Sequence, residues 1–370
     1  MIGNPPYISV RTKSFDSSLK PEYKANYSLA IGQYDLYTLF IEHAQRILSE
    51  RGVLSFIIPT RMLSNENFMP ARQFVMSNMP ITHYVNAEKP FESANVEANI
   101  MVCQKGVVEP QIASYALDAN TQTFKHVADI SFVSISHMPF NIFPFVFTQD
   151  KLNVLFHIQS NTDVKYLNEY LEITRGFECG YNDTRIGRGK YPFIMAESIT
   201  SYTLNQNEPL YCDPDFSKVS KYKSKNVFCK VPKLLTKFCS NEIKFAIDEV
   251  GYCNTNSVYN CELKELAKAD LHYLLGVVNS KLTTFWFNTA FLNIDSIFPH
   301  IQKNQLEAIP IVQADEHNKK VIIALVDKIL STKRENPQAD TANLESEIDQ
   351  LVYRLYGLSE EEIKIVEGGS

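Results

Sequence analysis

Ile2-Gly3-Asn4-Pro5-Pro6-Tyr7 opens the chain with a short apolar step that runs straight into two prolines. The step reads as the end of a buried strand, and the prolines as a rigid turn leaving it. A backbone fixed in this way can aim the Asn4 side-chain oxygen and the Pro5 carbonyl at one point. Together they can accept both hydrogens of a planar amino group, which localises the nitrogen lone pair for attack on an electrophilic methyl. Tyr7 adds a flat face on which a ring can stack. A turn with no chemical role is the competing reading of the same four residues.

Outward from the turn, residues 34–50 repeat Leu36, Phe40, His43, Ala44 and Ile47 at helical spacing, with Gly52 as a stop. Residues 53–59, VLSFIIP, form the continuous apolar run of a strand buried on both faces. The pattern predicts a helix over 65–77 and strands over 81–86 and 96–104. Helices alternating with buried strands imply an α/β, doubly wound sheet. Residues 8–33 are polar, carry Arg11, Lys13, Lys20 and Lys24, and read as a mobile loop.

Residues 107–160 read as an extended connector, with a helix over 149–160. Residues 165–310 look β-rich with two helical insertions, and 271–288 is a strongly apolar helix. Residues 315–333 and 341–357 are amphipathic. Ile322, Leu325, Val326 and Ile329 stripe the first, and Leu344, Ile348, Leu351, Val352 and Leu355 the second; Asn336-Pro337 joins them into a predicted helical hairpin.

The 370 residues are 45% hydrophobic and 21% charged, which excludes a disordered or collagen-like chain. Neither an apolar run of membrane-spanning length nor a signal segment is visible, so a cytoplasmic protein without a membrane partner is expected. Seven cysteines without a CxxC pair argue against a zinc ribbon, and the scattered histidines suggest no metal site. The net charge is −6, but residues 335–370 hold nine acids against two bases, which leaves the rest of the chain at +1. Residues 216–240 hold seven lysines and no acid, so a polyanionic partner is permitted.

The turn and its surroundings resemble the γ-class, TaqI-type adenine-N6 DNA methyltransferases, including those fused into type IIG restriction-modification enzymes. The likeness extends from NPPY through YDLYTLFIEHAQRIL (34–48), GVLSFIIPTRML (52–63) and PFESANVEANIMVC (90–103). In the second half it takes in TRGFECGYNDTRI (174–186), residues 233–259, LHYLLGVVNSKL (271–282) and FPHIQKNQLEAIPI (298–311). It implies four segments. Residues 1–108 would be the C-terminal half of the methyltransferase sheet, 109–160 a connector, 161–312 a β-rich α+β target-recognition domain and 313–370 the helical hairpin.

The resemblance implies Asn4, Pro5, Pro6 and Tyr7 as the catalytic turn, with Phe91 stacking on the other face of an adenine flipped from double-stranded DNA. The methyl donor would be S-adenosylmethionine. The family's Gly-rich cofactor turn precedes NPPY and is not found in this sequence. The cofactor site is therefore expected largely outside this chain, on a missing N-terminal half or a complementing chain, and this chain alone is expected to be inactive. A non-catalytic DNA-specificity module is the alternative of a different class. A protein glutamine methyltransferase, which shares NPPY, fits the long second half poorly.

Arg175, Arg185, Arg188 and Lys190 lie near turns, where arginine can read guanine edges. Lys218, Lys221, Lys223, Lys225 and Lys230, with Lys233 and Lys237 behind them, alternate with aromatics and suit phosphate contact. A solvated loop is the plain reading of the same run. Asp215 with Glu242 and Lys244 matches a nuclease-like pattern, but so short a pattern is common.

Overall fold

Two proline-limited strands set the geometry of the first half. The computed structural model describes all residues except 14, 88–96, 109–110, 119–120, 122, 178–185, 207, 214–227, 229, 241, 268, 292–299 and 369–370, and the side chains of Ile186 and Arg188. Its described residues form two compact units, Met1–Gln159 with Thr289–Leu292, and Ser160–Asn288 with Asn293–Ser370.

The first unit holds a six-stranded mixed sheet. Its strands are β1 (Ile2–Gly3), β2 (Val53–Pro59), β3 (Ile81–Asn86), β4 (Ala98–Gln104), β5 (Gln111–Asp118) and β6 (Thr123–Ser131), in the order β1-β2-β4-β3-β5-β6. β1 runs parallel to β2, and β3 parallel to β5; β4 is antiparallel to both its neighbours. The first helices are α1 (Lys20–Asn26), α2 (Leu36–Ile47) and α3 (Met69–Asn78).

The expected helix over 34–50 is shorter than its apolar pattern. Asp35 is still extended at the entry, and Leu48 leaves the helix as extended backbone. The helix expected over 65–77 begins with a 3-10 turn, Glu66–Phe68, and becomes α-helical at Met69, with Pro70 in its first turn. β2 corrects the two-sided burial read from its apolar run. Leu54, Phe56 and Ile58 are buried, Ser55 and Ile57 only half-buried, and Val53 is 44% exposed. Alternate residues face opposite sides of a sheet, and only one face of this strand is fully covered.

Residues 8–33, expected to be mobile, are instead built into the unit. Val10 N–H donates to the Tyr34 carbonyl and Leu36 N–H to the Ile8 carbonyl, which closes the base of the loop. The buried Glu42 carboxylate accepts from Ser28 and Leu29 N–H at 2.9 Å each, and Arg46 donates to the Asn26 carbonyl. The connector expected over 109–160 contributes the antiparallel pair β5–β6 to the sheet, then α4 (Phe132–Ser136) and α5 (Gln149–Ser160). Its prolines lie beyond the strands, so Pro139 and Pro144 do not interrupt a ladder.

The second unit is built on β7 (Val164–Tyr166), β8 (Leu171–Arg175), β9 (Ile186–Phe193), β10 (Leu210–Cys212), β11 (Lys233–Lys237), β12 (Phe245–Asp248), β13 (Val258–Leu263) and β14 (Pro310–Val312). An antiparallel sheet of order β12-β11-β13-β8 is joined by the pairs β9–β10 and β7–β14. Its helices are α6 (Leu167–Tyr170), α7 (Leu271–Val278), α8 (Lys281–Phe291, shared with the first unit), α9 (Lys303–Glu307), α10 (Glu316–Glu335), α11 (Ala342–Tyr356) and α12 (Glu360–Val366).

The single apolar helix expected over 271–288 is broken between α7 and α8. The Asn279 side chain accepts from Phe245 N–H and donates to the Phe245 carbonyl, both at 2.9 Å, binding the break to β12. The predicted hairpin has a third helix, α12, after its two expected ones. Gly276 lets α10 and α11 reach α7: a Cβ there would lie 2.8 Å from Ile322 and 3.8 Å from Ile348. Among the described residues no helix is long and apolar enough to cross a membrane.

Candidate active site at the end of the first strand

The segment that follows β1 is shaped by two missing N–H groups. Met1 N donates to the Val53 carbonyl at 2.7 Å and Ser55 N–H to the Met1 carbonyl at 2.8 Å. The register Ile2–Ser55 and Gly3–Phe56 carries this alternation one rung further. The next rung would need N–H groups on Pro5 and Pro59, and proline has none. Two carbonyls, those of Pro5 and Ile57, are thereby left without a ladder partner.

The Ile57 carbonyl is taken by the Tyr7 hydroxyl at 2.9 Å. That bond fixes the ring of Tyr7, which meets Tyr37 edge-on with centroids 6.1 Å apart. Burial pushes the Tyr7 phenol up to about 12, so it stays a neutral donor at physiological pH. Pro5 is buried, whereas Asn4 is exposed, and among the described residues no hydrogen bond engages the Asn4 side chain. Behind Tyr37 lies a buried Asp35 that ion-pairs with Arg61, just past the end of β2. The motif alone gave no sign of Pro59, Asp35 or Arg61. The proline ending VLSFIIP was the one available signal.

Of the expected turn residues, the structure places Asn4, Pro5, Pro6 and Tyr7 together at the carboxyl end of β1. Phe91 lies outside the described residues. Also among the described residues, no group of three His, Cys, Asp or Glu side chains is placed to hold a metal ion.

In the second unit, the expected DNA contacts fall into different environments. Arg175 is committed to the fold: its Nε donates to the Asn256 carbonyl at 2.7 Å, Nη2 donates to the same oxygen, and its guanidinium lies 3.8 Å from the Phe238 ring centroid. That fork is not available to a guanine. Lys190 is exposed on β9, and Arg188 lies on the same strand. Lys230 is near Glu262 at 3.5 Å, and burial raises the affinity of that carboxylate for its proton. Lys233 is fully buried against Asp248 at 2.6 Å, so it cannot touch phosphate. Asp248 also accepts from Val250, Gly251 and Tyr252 N–H at 2.9 Å each, an acceptor set that spacing in the sequence did not reveal. Lys244 pairs with Glu242 at 2.8 Å on the surface. Arg185, Lys218, Lys221, Lys223, Lys225 and Asp215 lie outside the described residues.

Two family models each match part of the chain. Residues 1–91 match the model of the Eco57I restriction-modification methylases, and residues 191–311 that of the TaqI-like C-terminal specificity domain. The chain thus carries a segment similar to Eco57I-type methylases and, after it, one similar to the TaqI-like specificity domain. Over 95 residues the chain is 34% identical to the type II methyltransferase M.BstVI of Geobacillus stearothermophilus, covering 25% of this chain and 17% of that one. RM.MjaORFECS2P of Methanocaldococcus jannaschii is 23% identical over 380 residues, covering 96% of this chain and 31% of its own length. Among solved structures, the type IIL restriction-modification enzyme MmeI in complex with DNA aligns with 99% of this chain and 56% of its own, with TM-score 0.56 and 12% identity, a likeness of fold. The chain thus spans less than a third of the length of these two curated relatives.

Proposed function

We propose that this chain supplies the catalytic turn and the target-recognition part of a site-specific DNA adenine-N6 methyltransferase, working in the cytoplasm within a restriction-modification system. The observation that carries the reading is the pair of acceptors at the end of β1. Asn4 is exposed and unengaged among the described residues, and the Pro5 carbonyl is freed by the missing N–H of Pro59. An adenine extruded from the duplex would present its amino group there. Asn4 and Pro5 would accept its two hydrogens and withdraw the lone pair from the ring, leaving the nitrogen nucleophilic. Tyr7, locked through Ile57, would cover one face of the base and Phe91 the other.

S-adenosylmethionine is the methyl donor of this reading, but the described residues do not make its pocket. They include no Gly-rich turn between a strand and a helix, and the outer side of β1 is open, with Ile2 88% exposed. The pocket would be carried by a segment that pairs along β1, supplied from upstream or by a complementing chain. The specificity domain, with Lys190 exposed on β9 at its start, would select the target site on double-stranded DNA.

The test is methylation of duplex DNA by this chain joined to that segment, with and without Asn4→Ala. The expected result is loss of activity with retained DNA binding. Unchanged methylation in the variant would overturn the assignment. Tight, saturable binding of S-adenosylmethionine by this chain alone would overturn the placement of the donor pocket.

A further inference from the structure

The loop over residues 8–33 begins at the residue after Tyr7, yet the proposed chemistry makes no use of it. Four cations of the first unit outside the loop are already committed. Arg46 pairs with Glu42, Arg61 with Asp35 and Lys105 with Glu50, while Arg72 is buried on the carbonyls of Met62, Asn65 and Phe140. Arg11, Lys13, Lys20 and Lys24 form no ion pair among the described residues. Arg11, Lys13 and Lys24 are exposed, and Lys20 is half-buried, its ammonium 6.0 Å from the Phe15 ring centroid. The loop's two acids offset only part of this charge: Asp16, whose carboxyl the Ser18 hydrogen bonds keep below the usual range, stays ionised, and with Glu22 it leaves the four cations in excess.

The scaffold beneath these cations is fixed at several points. Glu42 holds Ser28 and Leu29, the Arg46 guanidinium sits 4.9 Å over the Tyr27 ring, and Phe15, Tyr23 and Tyr27 pack in series with centroids 6.1 and 6.3 Å apart. Holding the loop in this way reduces the entropy cost when its cations engage a polyanion. Reach sets the target. Arg11 is four residues from Tyr7 and Lys13 six, so their backbones lie within roughly 14 and 20 Å of the tyrosine even with the chain fully extended. That distance covers the phosphates that flank a base held against Tyr7.

We propose that Arg11 and Lys13 form a sequence-independent clamp on the DNA phosphates beside the extruded adenine, with Lys20 and Lys24 on the same fixed loop engaging the backbone farther along. This rests on the function proposed above. The clamp grips backbone and leaves base reading to the specificity domain, so it governs affinity and salt dependence but not target choice.

The experiment compares three forms of the full chain on a mixed-sequence duplex, by fluorescence anisotropy across a salt series. They are wild type, R11A/K13A/K20A/K24A, and the control K125A/K151A, which removes two exposed cations of the same unit that lie away from the loop. Removing one phosphate interaction lowers the slope of log K against log salt by about 0.9. The clamp variant is expected to drop by about 2–4 in that slope, with an unchanged thermal transition, while the control stays within about 0.5 of wild type. An unchanged slope in the clamp variant overturns the clamp. So does an equal drop per charge in the control, since that reports net charge rather than local engagement. A wild-type chain that fails to bind the duplex even at low salt overturns the DNA reading itself, and the clamp with it.

Discussion

Replacing Pro59 by alanine tests the idea that missing donors shape the catalytic turn. Thr60 N–H donates to the Glu97 carbonyl at 3.0 Å, towards β4, so the nitrogen of residue 59 faces the opposite way, towards β1. An N–H restored there would continue the series that runs from Met1 and points at the Pro5 carbonyl. One added rung is worth about 1 kcal/mol, and loss of the proline's stiffening of the unfolded chain returns about 0.4–1 kcal/mol. Stability should therefore change by less than about 1 kcal/mol. Function should suffer, because the Pro5 carbonyl would already be occupied. A penalty of about 1.4–2.8 kcal/mol in the transition state is about ten- to a hundredfold in rate. The assay is single-turnover methylation by the full-length protein, paired with amide hydrogen exchange at position 59 of the Pro59→Ala variant. A protected amide at that position together with a slowed reaction is the expected result. An amide there that exchanges as fast as an open loop, or full activity despite protection, refutes the reasoning.

Two further predictions concern the second unit. Lys233→Met strands the buried Asp248 carboxylate on its backbone donors and should cost about 3 kcal/mol or more in urea unfolding, as breaking one half of a buried pair does. A cost below about 1 kcal/mol would contradict it, as would a change in the salt slope of DNA binding. Asp349 accepts from Lys281 N–H at 2.8 Å, and its carboxyl is pushed up by burial from 3.8 to about 6. Since the folded value is raised, the fold favours the protonated acid, and stability falls as pH climbs from about 4 through about 6. A rise of that size bounds the effect at ~3 kcal/mol. Asp349→Asn keeps an acceptor for Lys281 and cannot ionise, so it should equal wild type near pH 4 and exceed it above about pH 6. An advantage that does not grow between those pH values refutes the argument.

Local pattern made much of the fold legible. VLSFIIP is a strand, and the stripe of Ile322, Val326 and Ile329 is the buried face of α10, because each depends only on nearby residues. Where the pattern misled, the deciding partner was distant in sequence. Arg175 looks like a base reader until the Asn256 carbonyl, 81 residues on, takes its fork. Lys233 looks like part of a basic run until Asp248 meets it across β11 and β12. Residues 111–131 carry too little apolar alternation to announce β5 and β6. Their pattern is mixed, and much of β6 faces solvent.

The same distinction explains why the turn was legible only in part. Its sequence shows which groups could accept hydrogen bonds but not which are free to do so. That depends on register, which brings Pro5 and Pro59 to the same end of a parallel pair although 54 positions separate them in the chain. Each proline withholds one donor, and each omission exposes the other strand's acceptor. One acceptor, on Ile57, is used internally to lock Tyr7, while the other, on the buried Pro5, is left without a ladder donor next to the exposed Asn4. A single proline would release one carbonyl, enough to hold the ring or to present an acceptor, but not both. The paired omission permits a rigid stacking face and an unsatisfied acceptor to coexist within four residues.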